Sequence, residues 1–462
     1  MSGLLNALSI SMSALAANQE EVDVSSNNLA NSSTPGYARR SVILEEQSDF
    51  SSGALGDVGD GVAVGSVQSI RDPLLDSRVQ QETQQQSASQ EIVNAMQPVQ
   101  TLFASGNGGV PDAMTAFFSS LQELSTSPAD PTLRATVLTD ANNLASAFQN
   151  TAAQLTGTQQ NLDLGVTQSV NQINQLTAQL AQVNAQLTSA QGSGQSGNNL
   201  QDQQQNLMSQ LSTLIGFSVT QSSEGVTLTT ANGTPLVVGG ESFALSTAVN
   251  SSTSFQDVLS AQGQDITSQI TAGQLGGMLQ ARDGQIAGVL SSLNTLASSF
   301  AGAINTANEN GYDLNSNKGG ALFSVTAGAS AAQSMSVAIT NPSQIAASAS
   351  ATASGDNSNL LAMINVGSQP LVNSQTPVQM LSGIVFQVGN GVSQAQSESD
   401  ASSLMQQQLQ DEQGSVEGVS TDEEASNLLT YQRAYQAAAR VVSVVDDLTL
   451  ASINLGVETA MT

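Results

Sequence analysis

The sequence predicts a multidomain α+β protein. Its terminal helices pair into a coiled-coil layer, and between them lie an elongated helical domain and an inserted small β domain. Three observations predict this. Apolar residues recur with heptad spacing near both ends, helical periodicity dominates the sequence between them, and one central segment alternates as β-strands do. A chain of 462 residues is also too long for a single hydrophobic core, so several domains are expected.

The first predicted element is a helix with an apolar seam. Its residues recur at steps of three, four or seven, the period of a coiled coil, and are Leu5, Leu8, Met12, Leu15, Val22 and Leu29. Gln19 and Ser26 interrupt the repeat, and polar residues at such positions help to fix the register of a pair. The same spacing also suits a helix that packs on the core of its own domain.

A tight turn is expected where this helix ends, near Asn31. In Thr34-Pro35-Gly36-Tyr37, proline presets φ at the second position of a type II turn and glycine tolerates the positive φ of the third. The signature turn comprises Asn31, Thr34, Pro35, Gly36 and Tyr37. Short strands are expected at 42–44 and 61–64, separated by a glycine-rich loop over 51–61, and residues 1–70 are predicted to form one N-terminal unit.

The middle of the chain divides into segments with different hydrophobic patterns. Residues 71–215 are predicted to form a helical domain of long hairpins, in which 200–214 is a returning arm. Short alternating runs then predict the first part of an inserted β domain at 216–262, with Asn232-Gly233 as a hairpin turn. A helical return is expected at 263–320.

The remaining segments make the helical body discontinuous in sequence. Residues 321–356 read as short strands and low-complexity sequence of the β or outer domain, and 357–419 return to the helical domain. The last unit, 420–462, opens with the capping-box pattern Ser420-Thr421-Asp422-Glu423. Its seam is Leu428, Tyr431, Tyr435, Ala438, Val442 and Val445. Alone this seam could be ordinary core; its N-terminal counterpart favours a pair of helices.

Composition excludes several classes of function. Nine basic against 37 acidic residues give a formal charge of −28, which disfavours nucleic acids and anionic membrane surfaces as partners. No run approaches the ~18 apolar residues of a membrane span. The chain has no Cys and no His, so thiolate sites and the commonest general base and metal ligand are absent. Lys318 is the only lysine, which disfavours a Ser–Lys dyad.

No catalytic, cofactor-binding or metal-binding residue is assigned, and no cofactor is expected. The run at 313–317 begins like a calcium loop, but Lys318 stands where glycine is required and Ser324 where glutamate is required. No phosphate-binding loop pattern is present, and Asp446-Asp447 are adjacent, which points them in different directions. A structural role is therefore favoured over an enzymatic one.

Both termini resemble the bacterial flagellar rod, hook and hook-associated proteins. The resemblance is carried by the Asn31–Tyr37 block after a heptad helix and by the blocks at 422–429 and 431–440. Within that superfamily, the blocks at 117–125, 276–283 and 311–314 are similar to the hook-associated proteins of the first hook–filament junction. One departure is that the histidine that often precedes the Gly311-Tyr312 block is missing.

The resemblance implies a structural subunit of the flagellum, located outside the cell at the hook–filament junction. It implies export through the type III apparatus without a cleaved signal, in keeping with an N-terminus that lacks a basic region and a continuous apolar core. The implied partners are further copies of the chain in a ring, the hook protein, the second hook–filament junction protein, and a cytoplasmic export chaperone at the C-terminal helix.

The two terminal seams are the predicted assembly interface. Two alternatives remain at this stage: another axial subunit of the rod or hook type, and an exported glycan-binding or hydrolytic protein that uses the β domain.

Overall fold

The computed structural model describes residues 2–47, 59, 61–104, 106, 108–193, 197–222, 224–326 and 330–459. The glycine-rich loop predicted at 51–61 lies outside these ranges except at residues 59 and 61. The helices are α1 Ser2–Ala30, α2 Pro73–Leu102, α3 Val110–Leu124, α4 Pro131–Gly192, α5 Asn198–Leu214, α6 Gly273–Leu279, α7 Ala287–Asn310, α8 Ala331–Ser334, α9 Ser358–Asn365, α10 Pro377–Glu417 and α11 Thr421–Thr459. The strands are β1 Arg40–Glu46, β2 Val62–Ser69, β3 Ser218–Ser222, β4 Gly225–Thr229, β5 Pro235–Val238, β6 Glu241–Ser242, β7 Ser246–Val249, β8 Gln256–Leu259, β9 Phe323–Ser324 and β10 Ser336–Val337.

The terminal helices α1 and α11 pack against each other. They run antiparallel, because Asn28 near the end of α1 meets Glu424 at the start of α11. The hairpin β1–β2 lies on α1 beside this pair, with its two strands antiparallel and a register shift between Ile43 and Leu44. Together α1, the hairpin and α11 form the terminal unit. The predicted fold class, with long helices at both ends and small sheets inserted, is confirmed.

The helical domain is built around one long helix. Helix α4 runs through 62 residues, about 90 Å, where the sequence indicated separate periodic stretches. It begins where Asp130 accepts hydrogen bonds from the N–H groups of Thr132 and Leu133, with Pro131 in its first turn. Helices α2 and α10 form an antiparallel pair, and α3 and α7 complete the core.

An aromatic cluster lies at the centre of that core. Phe117 of α3 packs edge-on against Phe300 of α7 and Phe323 of β9, with ring centroids 6.0 and 5.7 Å apart. All three rings are almost completely excluded from solvent. Burying a phenylalanine is worth about 1.5–3 kcal/mol, so this cluster holds α3, α7 and the β9 segment together.

The inserted β segment has its own core. Strands β3–β6 form an antiparallel sheet in sequence order, and β7 pairs separately with β8. The sheet packs on the second half of α4 and on α5, where Leu228 and Val237 are fully buried. Gly233 adopts φ +83° in the β4–β5 connection, at the predicted Asn232-Gly233 turn.

The segment at 321–356 does not pack where the sequence placed it. It was assigned to the β or outer domain, but Leu322, Phe323 and Met335 are buried in the core of the helical domain. Strand β9 pairs only with β10 among the described residues. The physical reason is local: Asn305 of α7 accepts hydrogen bonds from the N–H groups of Leu322 and Phe323, which ties the segment to the helix.

Among the described residues, one helical run is long and apolar enough to cross a membrane by length and composition alone. The run Gly273–Asn310 contains a window of mean hydropathy 1.2. Leu293, Phe300 and Ile304 within it are fully buried in the helical core. The apolar side chains of this run therefore pack, at least at these three positions, inside the protein. The run also contains a π-helical turn at Gln280–Ile286.

Candidate assembly interface

The α11 seam predicted from sequence faces α1. Val445 is buried, and the other five residues are half-buried: Leu428, Tyr431, Tyr435, Ala438 and Val442. Their common face lies on α1, so within one chain the seam already has a partner. Its role between copies of the chain stays a prediction.

The α1 seam divides into two groups. Leu8, Leu15 and Val22 are half-buried, whereas Leu5 and Met12 are 61% and 59% exposed, and Leu29 is also exposed. The reason is that α1 has two neighbours, the hairpin and α11, and together they cover a face rotated away from the heptad seam. That covered face is rich in small and polar residues: Ser11, Ala17, Val24, Ser25 and Asn28.

The signature turn has the geometry of a type II turn. Gly36 adopts φ +77°, and the Tyr37 N–H donates to the Thr34 carbonyl at 3.2 Å. The Thr34 hydroxyl donates to the Asn31 side chain at 3.2 Å, and the Tyr37 hydroxyl donates to Asn28 at 2.8 Å. The turn is thereby folded back onto the end of α1 and directs the chain into β1.

Asn28 links all three parts of the terminal unit. Its amide nitrogen donates to the Arg40 carbonyl at 2.9 Å and to a Glu424 carboxylate oxygen at 3.2 Å. Its oxygen accepts from the Arg40 N–H at 2.9 Å as well as from Tyr37. Sequence reasoning missed this residue. The available signal was an asparagine inside a predicted helix. Asparagine is unfavourable there unless its side chain has a specific hydrogen-bond partner.

Arg40 and Arg71 attach the terminal unit to the helical domain, and Arg39 forms an ion pair within the unit. Arg40 and Arg71 both reach the Asp202 carboxylate on α5, at 3.0 and 2.6 Å. Arg71 also donates to the Gly36 carbonyl at 2.6 Å, and Arg39 pairs with Glu423 at 2.8 Å. These contacts use three of the nine basic residues of the chain. Neither hydrophobic core cluster contains a described residue of α1, the hairpin or α11.

Asp76 is a buried carboxyl beside this joint. Burial, together with the nearby Glu417 carboxylate, raises its pKa from 3.8 to about 6. Asp72 contributes the smallest part of this rise in pKa, while Arg71 and a hydrogen bond from Gln413 oppose the rise without cancelling it. The folded protein therefore binds a proton at Asp76 at a pH where the unfolded chain does not.

This raised pKa predicts that Asp76→Asn stabilises the protein at neutral pH. The stabilising contribution of protonated Asp76 is complete below about pH 3.8 and is lost as the pH rises through about 6. At pH 7.5 the variant should gain up to about 3 kcal/mol over the wild type, and near pH 4 the two should be equal. Denaturant titrations between pH 4 and 7.5 measure the difference. The same substitution at an exposed aspartate of α10, Asp411→Asn, is the control.

Two cavities among the described residues lack an arrangement of side chains suited to catalysis. A polar cavity of about 330 Å³ lies between the signature turn and the helical domain, but its charged side chains, Arg71 and Glu417, face each other at 3.9 Å. An apolar cleft of about 720 Å³ between α3 and α10 has no charged side chain in its lining. No group of metal-ligating side chains is found in the part of the chain that the structure describes.

What the terminal pair does offer is an unpartnered apolar surface. Large apolar side chains on the outer faces of α1 and α11 are exposed, and they are Leu5, Met12, Leu429, Val441, Val444, Leu448 and Leu450. Because the helices are antiparallel, all of them except Leu429 lie toward the end of the pair that contains the N-terminus of α1. An apolar surface of this kind is typical of a contact with another protein.

Three family models match successive parts of the chain. Residues 96–323 match the flagellar hook-associated protein FlgK helical domain. Residues 8–37 match the flagella basal body rod protein family, and residues 412–455 match the C-terminal family of the flagellar basal body rod FlgEFG proteins. The two terminal matches cover most of α1 and α11, and the central match covers α3 to α7 with the strands inserted between them.

Curated relatives match over nearly the full length. The flagellar hook-associated protein 1 of Salmonella typhimurium is 26% identical over 98% of this chain and 100% of its own length. That of Bacillus subtilis is 28% identical over 94% of this chain and 95% of its own length.

A solved structure has the same fold. The flagellar hook junction protein FlgK from Burkholderia pseudomallei superposes with a TM-score of 0.68 at 20% identity, covering 74% of this chain and all of that one. The central family match, the full-length relatives and the shared fold agree, and the chain belongs to the FlgK family of flagellar hook-associated proteins, which are structural components of the bacterial flagellum.

Proposed function

We propose that this chain forms a ring of identical subunits that joins the hook of the flagellum to its filament. The observation that supports the proposal most is the terminal pair. In it α1 and α11 pack against each other on one face and expose large apolar residues on the other. Covering one such side chain is worth about 1.5–3 kcal/mol. Several per subunit supply the free energy that incorporation into a ring requires.

A ring between the hook and the filament has a different partner on each side. One side of the ring contacts the hook protein, and the other contacts the second hook–filament junction protein. Before export, a cytoplasmic chaperone covers the apolar face of α11, which would otherwise be exposed in water. The absence of cysteine in the chain suits passage through the type III apparatus as an extended polypeptide. No catalytic activity forms part of this proposal.

Electron microscopy of a strain that lacks this gene tests the proposal, together with an assay of flagellin in the culture medium. Complete hooks without filaments, with flagellin lost to the medium, are expected. Missing hooks would instead assign the chain to the rod or hook, and normal filaments would contradict a junction role. The wild-type gene supplied in trans should restore filaments.

A further inference from the structure

Two arginines on the back of α11 have no partner among the residues that the structure describes. Arg433 and Arg440 are exposed, seven positions apart and therefore on one stripe of the helix. Within the described ranges neither forms an ion pair or a hydrogen bond. The opposite face of α11 carries Tyr435 and Val442, which pack on α1. The two guanidinium groups thus point away from the helix pair.

Their isolation is notable in a chain with nine basic residues and a net charge of −28. Most of the other cations have defined partners: Arg39 within the terminal unit, Arg40 and Arg71 in the joint, Arg282 with its carboxylates, and Arg134 with backbone carbonyls. Identical acidic subunits repel each other, so the contact between copies needs basic groups where acidic ones approach. The stripe on α11 supplies them.

The outer face of α1 carries the complementary groups. Asp23 is exposed on the same stripe as Leu5 and Met12. Glu20 is half-buried one helical turn away, and both side chains line an open polar cavity that Arg40 also lines. None of the ion pairs among the described residues uses either carboxylate. One helix of the terminal pair therefore presents acidic groups outward, and the other presents basic groups.

We propose that Arg433 and Arg440 of one subunit pair with Asp23 and Glu20 of the next, so that α11 of each copy lies against α1 of its neighbour. This inference rests on the proposed ring and identifies the contact between its subunits. In a cyclic ring the contact joins two different faces, and the neighbour's α1 runs antiparallel to α11, as it does within one chain.

The spacing along the two helices supports a single register. Within the chain, Asn28 is level with Glu424, so the antiparallel helices place Asp23 about level with residue 429. A neighbour displaced by about one helical turn, roughly 6 Å, brings its Asp23 level with Arg433. The same displacement sets its Glu20 between Arg433 and Arg440.

Apolar residues meet in that same register. Met12 is eleven positions before Asp23, and Val444 is eleven positions after Arg433, so the two become level. Leu5 then lies level with residue 451, within one helical turn of Leu448. Met12 and Val444 are 59% and 56% exposed in the single chain. One displacement therefore covers both the charged and the apolar parts of the outer face.

Charge reversal tests the contact in a strain that lacks the chromosomal gene. The two tested variants are Arg433→Glu with Arg440→Glu, and Glu20→Arg with Asp23→Arg; the third combines all four changes. Each reversal should lower the number of copies in isolated flagella about tenfold or more, because like charges then face each other, and the combination should restore it. Unchanged incorporation of either reversal, or no restoration by the combination, would overturn the pairing.

A cysteine pair gives a second readout that does not depend on export efficiency. The natural chain contains no cysteine, so Asp23→Cys with Arg433→Cys introduces the only two thiols. Oxidation of isolated flagella should produce a ladder of covalent oligomers, whereas either single variant should give none. Monomers alone from the double variant would contradict the register. If the wild-type gene itself failed to restore filaments, the proposed ring would fail first, independently of this contact.

Discussion

Replacing Arg282 with methionine is expected to lower the free energy of unfolding by about 3–5 kcal/mol, since it leaves a mostly buried carboxylate without its partner. The Arg282 side chain is 1% exposed and pairs with Asp163 of α4 and with Asp283. Burial alone would lower the pKa of Arg282, but the two carboxylates hold it above its ordinary value. The guanidinium remains charged at every working pH.

Arg282 also connects the two cores of the molecule. It donates to the Gln256 carbonyl in β8 at 3.0 Å and lies over the Phe255 ring, 5.2 Å from its centroid. Its own carbonyl accepts from Gln159 of α4 at 2.8 Å. Loss of the side chain therefore affects the attachment of the β segment as well as the π-helical turn that carries it.

Chemical denaturation of the purified chain measures the effect of Arg282→Met. The control is Arg78→Met, the same change at an exposed arginine, with an expected effect within about 0.5 kcal/mol. Equal unfolding midpoints for the two variants would show that the buried cluster does not stabilise the domain junction.

Replacing Val445 with aspartate is expected to separate α11 from α1 and to abolish incorporation into flagella. Val445 is 6% exposed against α1, and forcing a carboxylate into that site costs about 2–4 kcal/mol. Both core clusters are built from residues between 92 and 395, so the central domains should remain folded. We expect loss of helical content without a shift in the main unfolding transition.

Circular dichroism measures the helical content and calorimetry the main unfolding transition. Complementation of the deletion strain measures incorporation into flagella. Ser443→Asp, an exposed position on the same helix, is the matched control and should assemble normally. A large drop in the main transition for Val445→Asp would mean that the pair belongs to the monomeric core. Normal filaments together with a separated α11 would show that assembly does not need the packing of α11 on α1.

The terminal helices could be predicted from sequence because a heptad repeat is a local pattern. The covered face of α1 could not, since it depends on where the hairpin packs, and nothing in the spacing of Leu5 and Met12 shows that neighbour. Small residues such as Ala17 bury little area and leave a weak signal, yet they permit the close approach of three elements in the terminal unit.

Features that depend on long-range partners could not be predicted from local sequence patterns. The strand-like segment around Phe323 could be read as β, but only the contact with Phe300 shows that it belongs to the helical core. Arg282 lay inside a block that carried the family resemblance, whereas its partner Asp163 is 119 positions away. Sequence spacing holds no information on such a pair without an alignment.

Locating the chain in intact flagella tests the central claim most directly. Asn232→Cys introduces a single thiol in the exposed β4–β5 turn, and a gold-conjugated maleimide labels it specifically because the natural chain has none. One band of gold at the boundary between hook and filament is predicted. Gold distributed along the hook, the rod or the filament, or no gold on flagella that carry filaments, would contradict a junction ring.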